Sequence, residues 1–194
     1  PISGATTPGG IDVTSTSIAC NSPLEPTLTA DTSVVVTITA PDGQSDAINV
    51  NYAAPPVITD ATPAAVRSTI AESMTFTGLN FDVGSTVVFG LPLSGDASGI
   101  GIGYAGGTTI TCTSPTEPTL TADTPVVITI TAPDGQSDTI TRTYTAAPQI
   151  TGITPDPIRA TIATAVTIFG SNFDAGSTVS FDLPISGATA ATGV

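Results

Sequence analysis

Thr, Val and Ile alternate along this chain in short runs broken by Gly, Pro and Asp. Period-two alternation marks strands with one buried face, and no stretch keeps a helical period of useful length. In the run 125–131, Val126, Ile128 and Ile130 share one face, and Val127, Thr129 and Thr131 share the other. One face is therefore core and the other largely hydroxyl. The pattern predicts strands over 56–61, 73–78, 85–90, 108–113, 125–131 and 138–145, with Phe76, Phe89, Val126, Ile128, Ile130 and Tyr144 in the core. Turn chemistry falls between these runs. Pro133-Asp134-Gly135-Gln136 should close a hairpin, with Gly supplying a positive φ. Asn80-Phe81-Asp82-Val83-Gly84 does the same earlier, with Phe81 as a plug beneath the turn. Six or seven short strands at this spacing predict an all-β fold and a β-sandwich.

The pattern then repeats. Ala40-Pro41-Asp42-Gly43-Gln44-Ser45-Asp46 returns unchanged 92 residues later as Ala132-Pro133-Asp134-Gly135-Gln136-Ser137-Asp138. Asn80-Phe81-Asp82-Val83-Gly84-Ser85-Thr86-Val87 returns at the same distance as Asn172-Phe173-Asp174-Ala175-Gly176-Ser177-Thr178-Val179. Pro1-Ile2-Ser3-Gly4 is echoed by Pro92-Leu93-Ser94-Gly95 and by Pro184-Ile185-Ser186-Gly187. A period this long is a domain rather than a solenoid turn. It divides the chain into the back half of a unit (1–55), a complete unit (56–147) and the front half of another (148–194). The joining segments Ala53-Ala54-Pro55-Pro56 and Thr145-Ala146-Ala147-Pro148 are short and stiffened by Pro. Neighbouring units are expected end to end in a nearly fixed relation.

Charge narrows the range of partners. Sixteen acids against three bases give a net charge of −13, with no Lys, His or Trp. Nucleic acid and anionic membrane surfaces are disfavoured, because both are held through Lys and Arg. No apolar run approaches the ~18 to 20 residues of a membrane-spanning helix, so no membrane insertion is expected within this chain. Only 10% of residues are charged, and hydroxyls supply much of the polarity, a composition that suits an extracellular or cell-surface location. A chain opening at Pro1 without Met is expected to be a processed or excerpted product whose anchor lies elsewhere. Without Lys, no isopeptide staple or Lys-mediated ligation can join subunits. Cys20 and Cys112 stand one per repeat at equivalent positions, where each serves either as a small buried hydrophobe or as half of an inter-chain disulfide. They are not expected to bond to each other, since equivalent positions one domain apart exceed the ~7 Å Cα limit.

The order Pro56-x-Ile58-Thr59, Thr62-Pro63, Phe76-Thr77-Gly78-x-Asn80-Phe81-x-x-Gly84-Ser85-Thr86-Val87-x-Phe89-Gly90, then Val127-x-Thr129 running into Asp134-Gly135-x-Ser137, and finally Tyr144, resembles the IPT/TIG domain family. The resemblance covers the whole chain and recurs in each copy. It implies immunoglobulin-like sandwiches, in a family whose members serve as adhesin stalks, receptor spacers, enzyme-appended modules and DNA-binding dimerisation domains. The DNA-binding branch depends on basic loops absent here. One departure from the family pattern is the Gly-rich stretch 95–103 after the third strand, read as a flexible or irregular connection or as an inter-subunit contact.

No chemistry-bearing constellation stands out. Without His there is no nucleophilic triad, and the acids fall at turn positions where Asp caps its own backbone, so no enzyme activity and no cofactor are expected. Asp134 and Asp138 are candidate Ca²⁺ ligands by their oxygen chemistry, although they lack a dense Asp-x-Asp-x-Asp spacing. Gly99 to Gly103 lacks the strand-to-helix context and Lys of a phosphate loop. No N-glycosylation sequon occurs, and the Thr- and Pro-rich stretch 113–119 is a compositional candidate for O-glycans.

Two functions compete. The first is a structural subunit of an extracellular fibre, stalk or sheath whose half-domains are completed head to tail by copies of itself. The second is a spacer or ligand-binding module of a longer adhesin, receptor or secreted enzyme. On the first reading, the front half contributes Ile150, Val166, Ile168, Phe173, Val179 and Phe181 to a shared core. The back half contributes Ile18, Cys20, Val34, Val36, Ile38, Ile48, Val50 and Tyr52. Closure within one molecule is strained, because the poles of such a unit stand roughly 40 Å apart and a five-residue link reaches ~17 Å. Arg142, on the face of Ile140 and Tyr144 where the preceding repeat has Val50, is expected to pair with an acid of a neighbouring unit.

Overall fold

The structure, a computed structural model, describes residues 11–183 and 187–191. The echoes of the repeat at 1–4 and 184–186 lie outside the described residues. The described chain is all-β, with no helix among the described residues. Its strands are β1 (Asp12–Val13), β2 (Ile18–Ala19), β3 (Thr32–Thr39), β4 (Ser45–Tyr52), β5 (Val57–Thr62), β6 (Ala65–Arg67), β7 (Ser73–Leu79), β8 (Thr86–Leu91) and β9 (Gly95–Ser98). They continue as β10 (Ile100–Ala105), β11 (Thr109–Thr113), β12 (Thr124–Thr131), β13 (Ser137–Thr145), β14 (Gln149–Thr154), β15 (Thr167–Ser171), β16 (Ser180–Leu183) and β17 (Gly187–Ala190).

Residues 57–145 form two sheets, a four-stranded one ordered β10-β11-β7-β5 and a five-stranded one ordered β6-β13-β12-β8-β9. Their inner faces share one core, the arrangement of a β-sandwich. Met74, Phe76, Ile110 and Cys112 enter it from the first sheet. Val87, Phe89, Val126, Ile128, Ile130 and Tyr144 enter from the second. The alternation read from 125–131 is realised here, and the six expected core residues are all fully buried. Phe89 meets Tyr144 edge to face at 6.4 Å between ring centroids, a geometry favoured by the aromatic quadrupole.

Both expected turns form. Gly135 takes φ 90°, and the Asp134 carboxylate accepts from the Gln136 backbone and side-chain N–H groups at 2.9 and 2.7 Å. The side-chain amide and then the backbone N–H hold the Asp134 carboxyl below the usual carboxylate range. Asp42 and Gln44 repeat the device 92 residues earlier, where the backbone N–H acts most strongly on Asp42.

The structure departs from the expected elements at three strands. β6 adds a parallel edge to β13, and the Gly-rich stretch, read as an irregular connection, is ordered into β9 and β10. β9 pairs with β8 of one sheet and β10 with β11 of the other, so the chain changes sheets at Gly99. A Cβ on Gly99 would stand 2.8 Å from Cys112 Sγ and 3.3 Å from the Phe89 ring, so the crossing needs glycine. Gly99 carries no side-chain signal for the crossing, although Ile100, Ile102 and Tyr104 alternate with glycine along β10.

The flanking segments use the same registers. Thr32↔Tyr52 in β3·β4 repeats Thr124↔Tyr144 in β12·β13, 92 residues apart. β14·β15 repeats β5·β7, including the bulge that skips Thr59 or Thr151. β16·β17 likewise repeats β8·β9. The flanking sheets are all two-stranded. The ladders β7·β11, β8·β12 and β6·β13, which join front to back in the central unit, have no counterpart among the described residues of the flanks.

Candidate functional site

The flanks therefore present, in the open, the positions that the central unit buries. Val126, Ile128 and Ile130 are 0% exposed, whereas their equivalents Val34, Val36 and Ile38 are 36%, 43% and 54% exposed. Ile18 is 43% exposed against 0% for Ile110. Phe173 is 46% exposed against 4% for Phe81. Ile150 is exposed, while Phe181 and Tyr52 are half-buried where Phe89 and Tyr144 are fully buried. The structure thus places these residues on open faces of the two flanks, without bringing the faces together.

A groove lined by Ile38, Ala40, Gln44, Ser45 and Asp46 opens at the tip of the β3·β4 hairpin. In the central unit the equivalent place is taken by the start of β5. There Asp138 accepts from Ile58 N–H at 2.7 Å, and the Gln136 amide donates to the Ala53 carbonyl at 3.2 Å. Gln44 and Asp46 stand along this groove at the positions of Gln136 and Asp138.

The junctions between units are closed within the chain. Asn80, at φ 58°, donates from Nδ2 to the carbonyls of Thr29 in the preceding unit (3.2 Å) and Pro55 in the link (2.9 Å). Asn172, also at φ 58°, donates to Thr121 at 3.1 Å and Ala147 at 3.0 Å. Asn tolerates the left-handed region better than most residues. Its amide thus reaches back across the junction to two carbonyls that precede its own unit. Asp31 and Asp123 tie the same links by accepting from Ala54 and Ala146 N–H, both at 2.9 Å. Phe81 and Phe173 pack below these turns because Gly78 and Gly170 lack a Cβ, which would overlap the Val57 and Gln149 carbonyls. The sequence reading took Asn80 only as a turn residue. The clue it missed is that Asn, Thr and the link all recur at the same 92-residue offset.

Arg142 meets a carboxylate, but of its own unit rather than of a neighbouring one. Its Nη2 lies 2.5 Å from Asp60 Oδ1, its Nε donates to the Ala61 carbonyl at 2.8 Å, and its Nη1 donates to the Thr141 carbonyl at 2.9 Å. β5 is the edge of its sheet, so the Ala61 carbonyl and the Asp60 side chain are available to a guanidinium arriving from β13.

Cys20 and Cys112 are both free thiols, the first exposed and the second buried. Burial pushes the Cys112 thiol up to about 11 and, acting with nearby acids, the Tyr144 hydroxyl up to about 12. The Tyr144 hydroxyl donates to the Pro115 carbonyl at 3.1 Å, as Tyr52 does to Pro23 at 3.3 Å. Of the candidate Ca²⁺ ligands, Asp134 is engaged by Gln136, and Asp138 by Ile58 and Thr139. Among the described residues no cluster of three or more metal-ligating side chains occurs.

No protein-family model matches the chain, and no curated protein matches it. Among solved structures, a candidate phosphatase from Bacteroides thetaiotaomicron VPI-5482 aligns with 50% of this chain and 19% of its own. The identity is 20% and the TM-score 0.31. A likeness of that size carries no argument about fold or activity.

Proposed function

We propose that this chain is a structural unit of an extracellular fibre, stalk or sheath. It is read as a tandem of immunoglobulin-like sandwiches of the IPT/TIG kind, with each open half completed head to tail by a neighbouring copy. The observation that carries this reading is the contrast between Val126, Ile128 and Ile130, fully buried, and Val34, Val36 and Ile38, exposed in the same register. Apolar faces and open strand edges of this kind seek a cover in water. The complementary half is available in the same repeat. Joining 148–191 to 11–52 would bury ~1,500 to 2,500 Å², the scale of an obligate interface. Three ladders would form by strand addition, in the registers of β7·β11, β8·β12 and β6·β13. Asn80 and Asn172 support a nearly fixed relation between successive units. The role is mechanical, with no catalytic step assigned.

The test is imaging of the native material beside denaturing electrophoresis. Filaments that dissolve to a band near 19.1 kDa support completion between subunits. A far larger band places the same composite units in one continuous chain, as in a long adhesin or receptor. A stable, soluble monomer with no tendency to associate overturns both.

A further inference from the structure

Among the positions where the central unit and its flanks differ in chemistry, one group of neighbours changes together. Arg142, Asp60 and Ala61 correspond to Val50, Gly152 and Ile153, 92 residues away. The backbone is equivalent at each position. Arg142 pairs with Val126 as Val50 does with Val34, Asp60 with Thr77 as Gly152 does with Phe169, and Ala61 with Phe76 as Ile153 does with Ile168. Only the side chains have switched. The ion pair over a small residue is replaced by Val50, Gly152 and Ile153, while Phe76 and Thr77 across the ladder become Ile168 and Phe169.

We infer that these positions are a matching code: Val50 in the back half selects Gly152 and Ile153 in the front half of a second copy, while Arg142 selects Asp60 and Ala61 within its own unit. This rests on the completion of open halves proposed above and names which halves meet. In a mismatched closure of 92–147 on 148–183, Arg142 would find no carboxylate at Gly152, and Ile153 would obstruct its stem. The Arg142 side chain is only 15% exposed, so its charge would lose its carboxylate at a place with little water and keep only backbone carbonyls. The opposite mismatch, 56–91 on 11–52, leaves Asp60 facing Val50. That carboxylate is 62% exposed and stays hydrated, so the penalty there is smaller and is chiefly the hole left by the missing Arg stem. Specificity then comes from the cost of the wrong closure as well as the fit of the right one. The adjacent halves of one chain, always at high local concentration, are the competitors that this code rejects.

The experiment uses the full chain and the concentration needed for assembly, read by sedimentation. A Cβ at Gly152 would stand 3.8 Å from its nearest neighbour, the Phe169 ring, so Asp can be accommodated there. Val50→Arg alone should raise the assembly concentration by on the order of ten- to a hundredfold. Adding Gly152→Asp and Ile153→Ala to the same chain should bring it back to within about threefold of the unsubstituted protein. Chains carrying only Val50→Arg, mixed with chains carrying only Gly152→Asp and Ile153→Ala, should co-assemble better than either does alone. The unfolding transition of the central unit, unchanged throughout, separates these effects from misfolding. Assembly of Val50→Arg at the unsubstituted concentration, or a triple variant no better than Val50→Arg, overturns the code while leaving head-to-tail completion standing. If the unsubstituted chain itself does not assemble, completion fails, and the code falls with it.

Discussion

Val126-Val127-Ile128-Thr129-Ile130 and Val34-Val35-Val36-Thr37-Ile38 are near copies in equivalent hairpins, with the same cross-strand register 92 residues apart. One is fully buried along its inner face and the other stands open to water. The difference lies in what each hairpin is placed against. The central hairpin has β8 along one edge, β6 along the other and the four-stranded sheet across its face. Among the described residues the flanking hairpin has none of these. Local sequence can build the ladder and aim the side chains, but burial belongs to the assembly of the two halves.

The largest effect expected from this contrast is in core truncation. Ile128→Ala should cost the central unit ~2–5 kcal/mol in chemical denaturation. Val36→Ala in the open half should cost the unassembled chain no more than about 0.5 kcal/mol. If Val36→Ala is as costly as Ile128→Ala in the unassembled chain, the back half is already packed and the contrast is broken.

Thiol labelling sharpens it further. With its thiol pushed up to about 11, Cys112 should carry a thiolate fraction on the order of a hundredfold below that of an ordinary cysteine at neutral pH, in addition to being inaccessible. Cys20, in the exposed copy of the position, should alkylate readily in the unassembled chain and become protected on assembly. Equal labelling of both sites in the unassembled chain would contradict the difference in burial.

The same burial predicts a pH dependence. Cys112 and Tyr144 have raised values, so the folded unit holds their protons more tightly than the unfolded chain does. Their contribution is fully present below pH about 9 and is lost as pH rises toward about 11 to 12. Denaturant midpoints for the central unit should fall across that window, and Tyr144→Phe should flatten the upper part of the decline. A midpoint that stays constant up to pH 11 would contradict this account.

The smallest effect concerns the junction. Asn80→Ala removes two hydrogen bonds and places a less tolerant residue at φ 58°, a loss of ~1–2 kcal/mol. It should also raise protease sensitivity in the 53–56 link. Asn172→Ala should do the same at 145–148, and a lack of response at both links would remove the clamp from the picture.

The sequence by itself determined much of what is local. Alternation at 125–131 set which side chains face inward, Asp-Gly chemistry set the hairpin turns, and the 92-residue echo set equivalence between distant positions. These depend on neighbours along the chain and leave a periodic trace. Tertiary structure decided what depends on elements far apart in sequence. It took the Gly-rich stretch across from one sheet to the other at Gly99, where absence of a side chain leaves no pattern to read. It gave Arg142 its Asp60, 82 positions away, because the edge strand β5 lies beside β13. It turned Asn80 from a turn residue into a tie between units, by bringing Thr29 within its reach. Above all it decided which copy of one apolar pattern is core and which is open face, since alternation orients a side chain and only a facing sheet excludes water from it.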